Sequence, residues 1–343
     1  MRFVDYGGLT FDDVLIAPEY SDIESRDEID LSQDDFLGLY LEVPIISANM
    51  DYVTGSDMAI AMYEEGGLGI LNRFIPWEQQ KEEMFKIELI SPVILSVGIR
   101  NLEESIEKVK WAFQNLYNNK IIITIDVAHG HHQKVADLIK KIKDMFEVDI
   151  IAGNIATEDG AFFLIDAGAD AIKVGIGPGS VCTTRTVTGV GVPQLGAIIS
   201  VAREAHGNVK VIADGGIRSS GDIVKALVAG ADAVMLGYLL AGADEAPGVP
   251  MVGPDGTTKW KPYRGQSIFG SSGERYTKEG ISGYVRERGP VARILKELVG
   301  GIRSGMSYVG ARNLTELREK AYFIKVSGHT MHENNTRVSE VVG

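Results

Sequence analysis

The chain alternates between short apolar runs and longer segments whose apolar residues recur with a helical period. In segments such as 56–66 and 101–116, apolar residues fall at i, i+3, i+4 and i+7, the spacing of one helix face. Eight apolar runs flank segments of this kind, at 43–47, 67–71, 93–97, 121–126, 149–153, 171–175, 209–214 and 233–237. Eight strands alternating with helices are what a closed parallel barrel requires, so the pattern predicts an α/β fold, a (β/α)₈ TIM barrel.

An open, doubly wound sheet is the competing architecture. It predicts a GxGxxG turn after the first strand, and the sequence VPIISANMD at 43–51 contains no such turn. We therefore expect the closed barrel.

The alternation breaks after the eighth run. Residues 241–283 are rich in Gly, Pro, Ser and charged residues, and they are far longer than an ordinary strand-to-helix connection. In a barrel this segment lies on the C-terminal face, where active sites are built. We expect it to form a flap over the site, within a single domain that spans 1–343; a disordered surface insertion is the alternative.

The overall charge limits the classes of partner. The chain carries 34 basic and 47 acidic residues, a net charge of −13. This charge repels phosphate backbones and anionic lipids, so we expect no nucleic-acid partner and no membrane partner. No apolar run approaches the roughly 20 residues that span a bilayer. The N-terminus resembles neither a signal peptide nor a transit segment, which predicts a cytoplasmic protein.

The candidate nucleophile is the only cysteine of the chain, Cys182. It follows the sixth apolar run in KVGIGPGSVC, where closely spaced glycines let the backbone turn its N–H and C=O groups toward a phosphate or a cation. A lone cysteine is often a small buried hydrophobe. Here it lies among Gly, Ser and Thr on a loop, which favours a reactive thiolate instead. A single cysteine also excludes an intrachain disulfide and a multi-cysteine metal site.

A second candidate site follows the seventh run. Asp214 ends this run and precedes Gly215 and Gly216, whose N–H groups suit an anion while the carboxylate accepts from ribose hydroxyls. Gly237 ends the eighth run, and barrels often seat a phosphate between the loops after strands seven and eight. A helix cap is the alternative role for Asp214.

The fourth run ends in Asp126, which precedes three closely spaced histidines. No cysteine, HExxH motif or carboxylate–histidine spacing accompanies them, so we do not predict a metal at His129, His131 or His132. We expect Asp126 to contact the ribose of a cofactor.

These motifs identify a resemblance. The chain resembles the IMP dehydrogenase and GMP reductase family over essentially its whole length, in the segments 9–18, 47–54, 152–157, 175–185, 212–223, 263–265 and 300–311. The resemblance implies that Cys182 attacks C2 of a purine nucleoside monophosphate while Thr184 and Glu279 manage protons. It also implies a square homotetramer.

The resemblance assigns three further sets of residues. Nucleotide contacts are implied for Ser180, Asp214, Gly215, Gly216, Gly237, Tyr238, Tyr263, Gly265, Gln266, Ser267 and Gly280. Contacts to NADPH or NAD, some across a subunit boundary, are implied for Ser25, Arg26, Arg73, Asp126, Val127, Ala128, Ile176, Gly177, Ser304, Gly305, Met306 and Ser307. A monovalent cation, expected to be K⁺, is implied at Gly177, Gly179, Cys182 and Arg185. Tyr238 and Gln266 depart from the residues usual in the family.

The direction of the reaction depends on finer features. The chain lacks the regulatory CBS modules that most dehydrogenases carry, and its flap is short, with Glu279 sixteen positions after Tyr263. Segments 24–31 and 306–311 also resemble reductases. These features favour GMP reductase, in which GMP and NADPH give IMP, ammonia and NADP⁺. Arg275 and Tyr276 resemble the water-activating pair of IMP dehydrogenase, which converts IMP, NAD⁺ and water to XMP and NADH and is the alternative. A nucleotide sensor without chemistry is a more remote one.

Overall fold

The computed structural model describes residues 8–117, 120–265, 278–328 and 330–334. Its central element is an eight-stranded parallel sheet. The strands are β4 (Ile45–Ser47), β5 (Leu68–Gly69), β6 (Val93–Val97), β7 (Ile121–Asp126), β8 (Asp149–Ile155), β9 (Ala171–Val174), β10 (Lys210–Asp214) and β11 (Ala233–Leu236). All eight predicted runs form strands, and the predicted barrel is confirmed.

The barrel closes between β5 and β6. The sheet order is β5-β4-β11-β10-β9-β8-β7-β6. Leu71, just past the short β5, forms a parallel bridge with Leu95 of β6, and its N–H donates to the Ile94 carbonyl at 2.9 Å. The two edges of the sheet therefore meet, and the open-sheet alternative is wrong.

Helices surround the barrel and follow the strands as predicted. They are α1 (Ser56–Glu64), α2 (Trp77–Ile87), α3 (Leu102–Asn115), α4 (Gln133–Met145), α5 (Glu158–Asp166), α6 (Thr184–Thr188), α7 (Gln194–Ala205), α8 (Ser220–Val228), α9 (Val291–Val309), α10 (Leu314–Lys320) and α11 (Thr330–Glu333). Side chains of Asn101, Thr157 and Ser219 accept from backbone N–H groups in the first turns of α3, α5 and α8. Among the described residues, no helix has both the length and the apolar character needed to cross a membrane.

Strands outside the barrel tie together distant parts of the chain. They are β1 (Val14–Ile16), β2 (Gln33–Phe36), β3 (Leu39–Leu41), β12 (Met251–Val252), β13 (Lys259–Arg264), β14 (Ser282–Arg286) and β15 (Phe323–Lys325). β1 pairs with β15. The Phe11 carbonyl, beside β1, accepts from the Lys225 ammonium at 2.8 Å. This contact holds the segment from Thr10 to Asp12 against the C-terminal face of the barrel.

The described part of the segment 241–283 has regular structure at its base. β12, β13 and β14 form an antiparallel sheet, in which Tyr263 pairs with Gly283. The buried ammonium of Lys261 donates to the carbonyls of Ala243 and Asp244 at 2.7 and 3.0 Å, so it supplies hydrogen bonds to the backbone of this loop. The base of the flap is therefore an ordered sheet packed over the barrel.

The interior of the barrel turns polar toward its C-terminal end. Buried side chains there include Asn49, Ser96, Thr124 and Lys173. The Asn49 amide donates to the Ser96 hydroxyl at 3.1 Å. Because buried polar groups cost free energy unless they are paired, such a layer marks the floor of a site rather than ordinary core.

Candidate active site

A cavity of about 970 Å³ lies at the C-terminal ends of the barrel strands. Loops after β7, β9, β10 and β11 line it together with the base of the flap and the segment from Thr10 to Asp12. This is the position where barrel enzymes carry out chemistry, and the volume suits a nucleotide together with part of a second ligand.

Glycines shape the loop that carries the cysteine. Gly175 has φ +151°, and a Cβ there would lie 2.0 Å from the backbone oxygen of Asp214. Gly177 has φ +87°, and a Cβ there would lie 2.5 Å from Cγ of Arg185. Larger residues are excluded at both positions, because the loop leaves β9 against the end of β10 and then turns back on itself.

The thiol of Cys182 begins a chain of hydrogen bonds. Its Sγ donates to Oγ1 of Thr184 at 3.2 Å, and that hydroxyl donates to Oε2 of Glu279 at 2.9 Å. The cysteine is half-buried and lines the cavity, so it is not the core hydrophobe of the alternative interpretation. A proton on the thiol has a continuous path to a carboxylate, which is the arrangement that activates a nucleophile.

Backbone pairing holds Cys182, Thr184 and Glu279 close together. Cys182 and Gly280 form an antiparallel bridge. The Thr183 N–H donates to the Glu279 carbonyl at 3.1 Å, and the Ile281 N–H donates to the Val181 carbonyl at 3.0 Å. The C-terminal part of the flap segment is therefore paired directly with the loop that carries Cys182.

The part of the cavity lined by Ser180, Tyr263 and the glycines after β10 and β11 offers neutral hydrogen-bond donors. The Ser180 and Tyr263 hydroxyls lie 3.2 Å apart, and burial raises the pKa of Tyr263 to about 12, so the phenol keeps its proton. Gly215 and Gly216 have φ +98° and +79° and present backbone to the cavity. A Cβ on Gly237 would lie 2.9 Å from the Tyr263 hydroxyl. Such a collection of N–H and O–H groups is suited to a phosphate.

Tyr238 lies beside this group. It lines the cavity, is half-exposed, and has its ring centroid 6.3 Å from that of Tyr263. Both rings therefore line the part of the cavity that contains the Ser180 hydroxyl.

A buried lysine lies beneath the middle of the cavity. The Lys173 ammonium contacts Oδ1 of Asp126 at 2.5 Å and Oδ2 of Asp214 at 3.1 Å. Burial alone would raise the pKa of Asp126, but the charges of Lys173 and Arg73 outweigh it and the pKa is lowered. Asp214 also accepts from the Asn154 amide at 2.9 Å, and the cap of the next helix is Ser219, so the capping alternative for Asp214 is wrong.

The side of the cavity near Asp126 is more apolar. Val127, Ala128 and Ile176 line it, and the Arg73 guanidinium lies 4.4 Å from the ring centroid of Phe74. Burial lowers the pKa of Arg73, with Asp126 opposing this effect. An apolar wall with one carboxylate and one guanidinium fits a nicotinamide nucleoside, which has a flat ring and ribose hydroxyls.

The neighbouring histidines have separate roles. His132 caps α4 by accepting from the Lys134 N–H at 3.1 Å, and His131 packs 4.8 Å from the ring of Phe163. Only His129 of the three lines the cavity. Among the described residues no group of histidine, cysteine and carboxylate side chains has metal-binding geometry.

Some expected site residues lie elsewhere. Ser25 and Arg26 lie in an exposed turn that packs on α9, which also carries residues 304–307, and none of these lines the cavity. Gln266, Ser267, Arg275 and Tyr276 fall outside the described residues. Gly265 and Gly280 lie on either side of that gap, and the Gly265 N–H donates to the Ile281 carbonyl at 3.0 Å.

Sequence reasoning missed four polar residues that line the cavity or lie beneath it: Asn49, Asn154, Lys173 and Gln194. The Gln194 amide donates to the Val174 and Asp214 carbonyls at 2.8 and 3.2 Å and so joins the ends of β9 and β10. One signal was available, because Lys173 interrupts an apolar run that otherwise predicts a fully buried strand.

Comparisons with known proteins agree with this geometry. A profile described as the IMP dehydrogenase / GMP reductase domain matches residues 8–337. The chain is 35% identical to an inosine-5'-monophosphate dehydrogenase of Aquifex aeolicus, with 93% of each chain covered. It is 37% identical to one of Cryptosporidium parvum, with 98% of this chain and 96% of the relative covered. It is 32% identical to a GMP reductase of Leishmania donovani, with 96% of each covered.

Chain length does not separate the two names among these relatives. The alignment with the Leishmania GMP reductase runs over 477 positions, whereas that with the Cryptosporidium dehydrogenase runs over only 390. The longer of these two alignments is with a protein named as a reductase, and the shorter is with one named as a dehydrogenase.

Proposed function

Because the chain belongs to the IMP dehydrogenase and GMP reductase family, we propose that it is a nicotinamide-dependent oxidoreductase that converts GMP to IMP and ammonia. The observation that carries this proposal is the hydrogen-bond relay from the Cys182 thiol through Thr184 to Glu279, beside a cavity at the C-terminal end of the barrel. Both reactions of the family require a nucleophile of this kind.

The first step uses the chain's own groups. Cys182 gives up its proton through Thr184 to Glu279, and its sulfur bonds to C2 of the purine. The same relay returns the proton to the departing amino group, and ammonia leaves with the pair of electrons of the C–N bond. The product is a thioimidate on Cys182, and the relay is free for the second step.

In the second step the sulfur leaves. When bound, the nicotinamide cofactor supplies the hydride that C2 accepts. The carbon–sulfur bond then breaks, the sulfur leaves as a thiolate, and a proton from solvent restores the thiol. Arg73, Asp126, Val127, Ala128, Ile176 and Gly177 would hold this cofactor, since they surround the apolar end of the cavity.

The nucleotide would bind across the rest of the cavity. Ser180, Gly216, Gly237, Tyr238 and Tyr263 would hold its phosphate with neutral donors, and Asp214 would accept from ribose hydroxyls. Gly265 and Gly280 would lie near the base. Neutral donors suffice for a phosphate because N–H dipoles converge on it.

A monovalent cation, K⁺ by analogy with the family, would bind at the backbone of Gly177, Gly179 and Cys182, with Arg185 nearby. Carbonyl oxygens without a carboxylate form a donor set that suits a monovalent rather than a divalent cation. Arg185 donates to the Val192 carbonyl and contacts the turn at Gly177, so it shapes this loop.

IMP dehydrogenase is the second candidate. Arg275 and Tyr276 favour it, as does the fact that the relatives cited above include two named dehydrogenases and one named reductase. The short span between Tyr263 and Glu279 and the reductase-like segments at 24–31 and 306–311 favour the reductase.

The two reactions change the reduced-cofactor absorbance in opposite directions. We expect GMP with NADPH to lose absorbance, and Cys182→Ala to abolish the loss. A gain of absorbance with IMP and NAD⁺, without activity toward GMP, would assign the dehydrogenase instead. Tight nucleotide binding without either change would indicate a sensor. Thr186→Val, on the exposed side of α6, is the matched control for loop damage.

The family also suggests a homotetramer. Ser25, Arg26 and residues 304–307 lie away from the cavity of their own chain, so they would reach a cofactor only in a neighbouring subunit. Light scattering on the purified chain tests this assembly, and a monomer that is fully active would exclude a role for these residues in catalysis.

A further inference from the structure

Lys173 is a fully buried cation that the proposed chemistry does not use. Its side chain is 2% exposed, and it lies on β9 between residues that are all buried. The ammonium contacts Asp126 at 2.5 Å, Asp214 at 3.1 Å and Oδ1 of Asn49 at 3.3 Å. Burying a lysine costs free energy through desolvation even when such partners are present. Core packing alone therefore does not explain a lysine at this position.

The strand register shows how the lysine reaches both carboxylates. Asp126 of β7 pairs with Gly153 of β8, and Gly153 pairs in turn with Lys173 of β9. A Cβ on Gly153 would lie 2.6 Å from Cβ of Lys173. The missing side chain at Gly153 therefore gives the lysine room to cross β8 and meet Asp126. Asp214 lies on β10, the neighbouring strand on the other side of β9.

The two carboxylates face different halves of the cavity. Asp126 precedes Val127 and Ala128 on the apolar side, whereas Asp214 precedes the two glycines of the phosphate side. Their side chains are 18% and 21% exposed, and both line the cavity. One ammonium thus lies under both halves of the site.

The surrounding charges define what the ammonium does. Asp126 faces Lys173 on β9 and Arg73 on the loop after β5, with His129 on its own loop and Asp214 beyond the lysine. Asp214 faces Lys173 and the Asn154 amide. Two carboxylates this close to one ammonium repel each other when the cation is removed, and the pair then takes up a proton more readily.

We propose that Lys173 is a positioning residue whose single charge holds the carboxylates of Asp126 and Asp214 together against their mutual repulsion and aims both into the cavity. The proposal rests on the proposed function for the identity of the ligands. It assigns to Lys173 no contact with substrate or cofactor.

IMP is the probe that tests it, since IMP is the product of one candidate reaction and the substrate of the other. We measure its dissociation constant by calorimetry between about pH 6 and pH 9 with the full chain, Lys173→Met and Lys173→Arg. In Lys173→Met the carboxylate pair carries a proton at the acidic end, so a charged acceptor for the ribose is lost. A charge-assisted hydrogen bond is stronger than a neutral one by about one power of ten in affinity.

The expected result is a pH profile, which a purely structural role would not change. Wild type and Lys173→Arg should vary less than about threefold over this range, while Lys173→Met should bind about tenfold more weakly at pH 6 and recover toward pH 9. Lys261→Met is the matched control, because Lys261 is also buried but donates its hydrogen bonds to backbone carbonyls rather than to carboxylates. Its profile should follow that of wild type.

A double variant separates charge from packing. In Lys173→Met/Asp126→Asn the second carboxylate is gone, so IMP affinity should return to within about threefold of Asp126→Asn alone at every pH. If Lys173→Met does not fold, recovery of soluble protein in the double variant supports the proposal, and a double variant that also fails overturns it. A flat, wild-type-like profile for Lys173→Met overturns it as well.

Failure of the proposed function gives a different result. If the wild-type chain binds IMP but catalyses neither reaction, the proposed function is wrong. The IMP affinities of the Lys173 variants still test the positioning role of Lys173 in that case. A wild-type chain that does not bind IMP overturns both.

Discussion

Replacement of Thr184 by valine tests the proton relay at its central link. Valine has nearly the shape of threonine but lacks the hydroxyl, so Thr184→Val removes both the 3.2 Å contact from the Cys182 thiol and the 2.9 Å contact to Glu279. The packing of α6 is retained. The change therefore isolates proton transfer from the shape of the loop.

The magnitude follows from what the relay supplies. General acid–base transfer contributes about 10²- to 10⁴-fold to a rate, or about 3 to 5 kcal/mol of transition-state stabilisation. Thr184→Val should lower kcat within that range, and it should change the KM for GMP less than about threefold because the hydroxyl serves the reacting groups. Glu279→Gln should have a loss of the same order, since it removes the proton acceptor at the end of the same chain.

The decisive measurement is the double variant. Because both changes interrupt the same hydrogen-bond relay, Thr184→Val/Glu279→Gln should be about as slow as the slower single variant. The assay is NADPH consumption with GMP, together with NADH formation from IMP and NAD⁺ for the alternative reaction, and Thr186→Val is the control. Losses that multiply in the double variant would show that the two residues act independently, and the relay would be refuted.

Three further changes, at Gly175, at Tyr263 and in the monovalent cation, have expected outcomes. Gly175→Ala should destabilise the fold by several kcal/mol because its Cβ would meet the Asp214 carbonyl at 2.0 Å, whereas Gly189→Ala, with φ +73° and open space, should cost only about 1–2 kcal/mol in chemical denaturation. Tyr263→Phe should raise the KM for GMP about tenfold by removing a phosphate donor. Since burial raises the pKa of Tyr263 to about 12, its contribution to stability is fully present below about pH 10 and is lost as the pH rises from about 10 to 12; the phenylalanine variant should lose less stability over that range in thermal melts. Replacing K⁺ by a large organic cation should reduce kcat, and activity that is independent of the monovalent cation would contradict a site in the Cys182 loop.

The barrel was predictable because strand and helix periods are local properties of the sequence. The eight runs are mostly apolar on both faces, as is usual for parallel strands buried on both sides, and Lys173 is the clearest exception. The loop at Cys182 and the turn at Asp214 were also predictable, because glycine and a terminal carboxylate signal close approach to a ligand.

The buried polar layer was not predictable in this way. Lys173 acquires its role only from Asp126 and Asp214, which come from strands β7 and β10, and the strand pattern indicates burial without naming the partners. The sheet at the base of the flap was hidden for a similar reason. Its strands β13 and β14 are separated by a long segment, and Gly- and Pro-rich composition indicates a loop. The antiparallel pairing of β1 with β15 joins the two ends of the chain, which no local pattern indicates.

The bridge between Cys182 and Gly280, with the bond from Gly265 to Ile281, has a consequence for engineering. Both ends of the intervening stretch are fastened by main-chain pairing, which does not depend on the side chains between them. Residues 266–278 can therefore be exchanged as one unit with those of dehydrogenase or reductase relatives, and we expect Cys182 and Glu279 to stay aligned. In such hybrids, any switch in the reaction catalysed would be attributable to the grafted stretch alone.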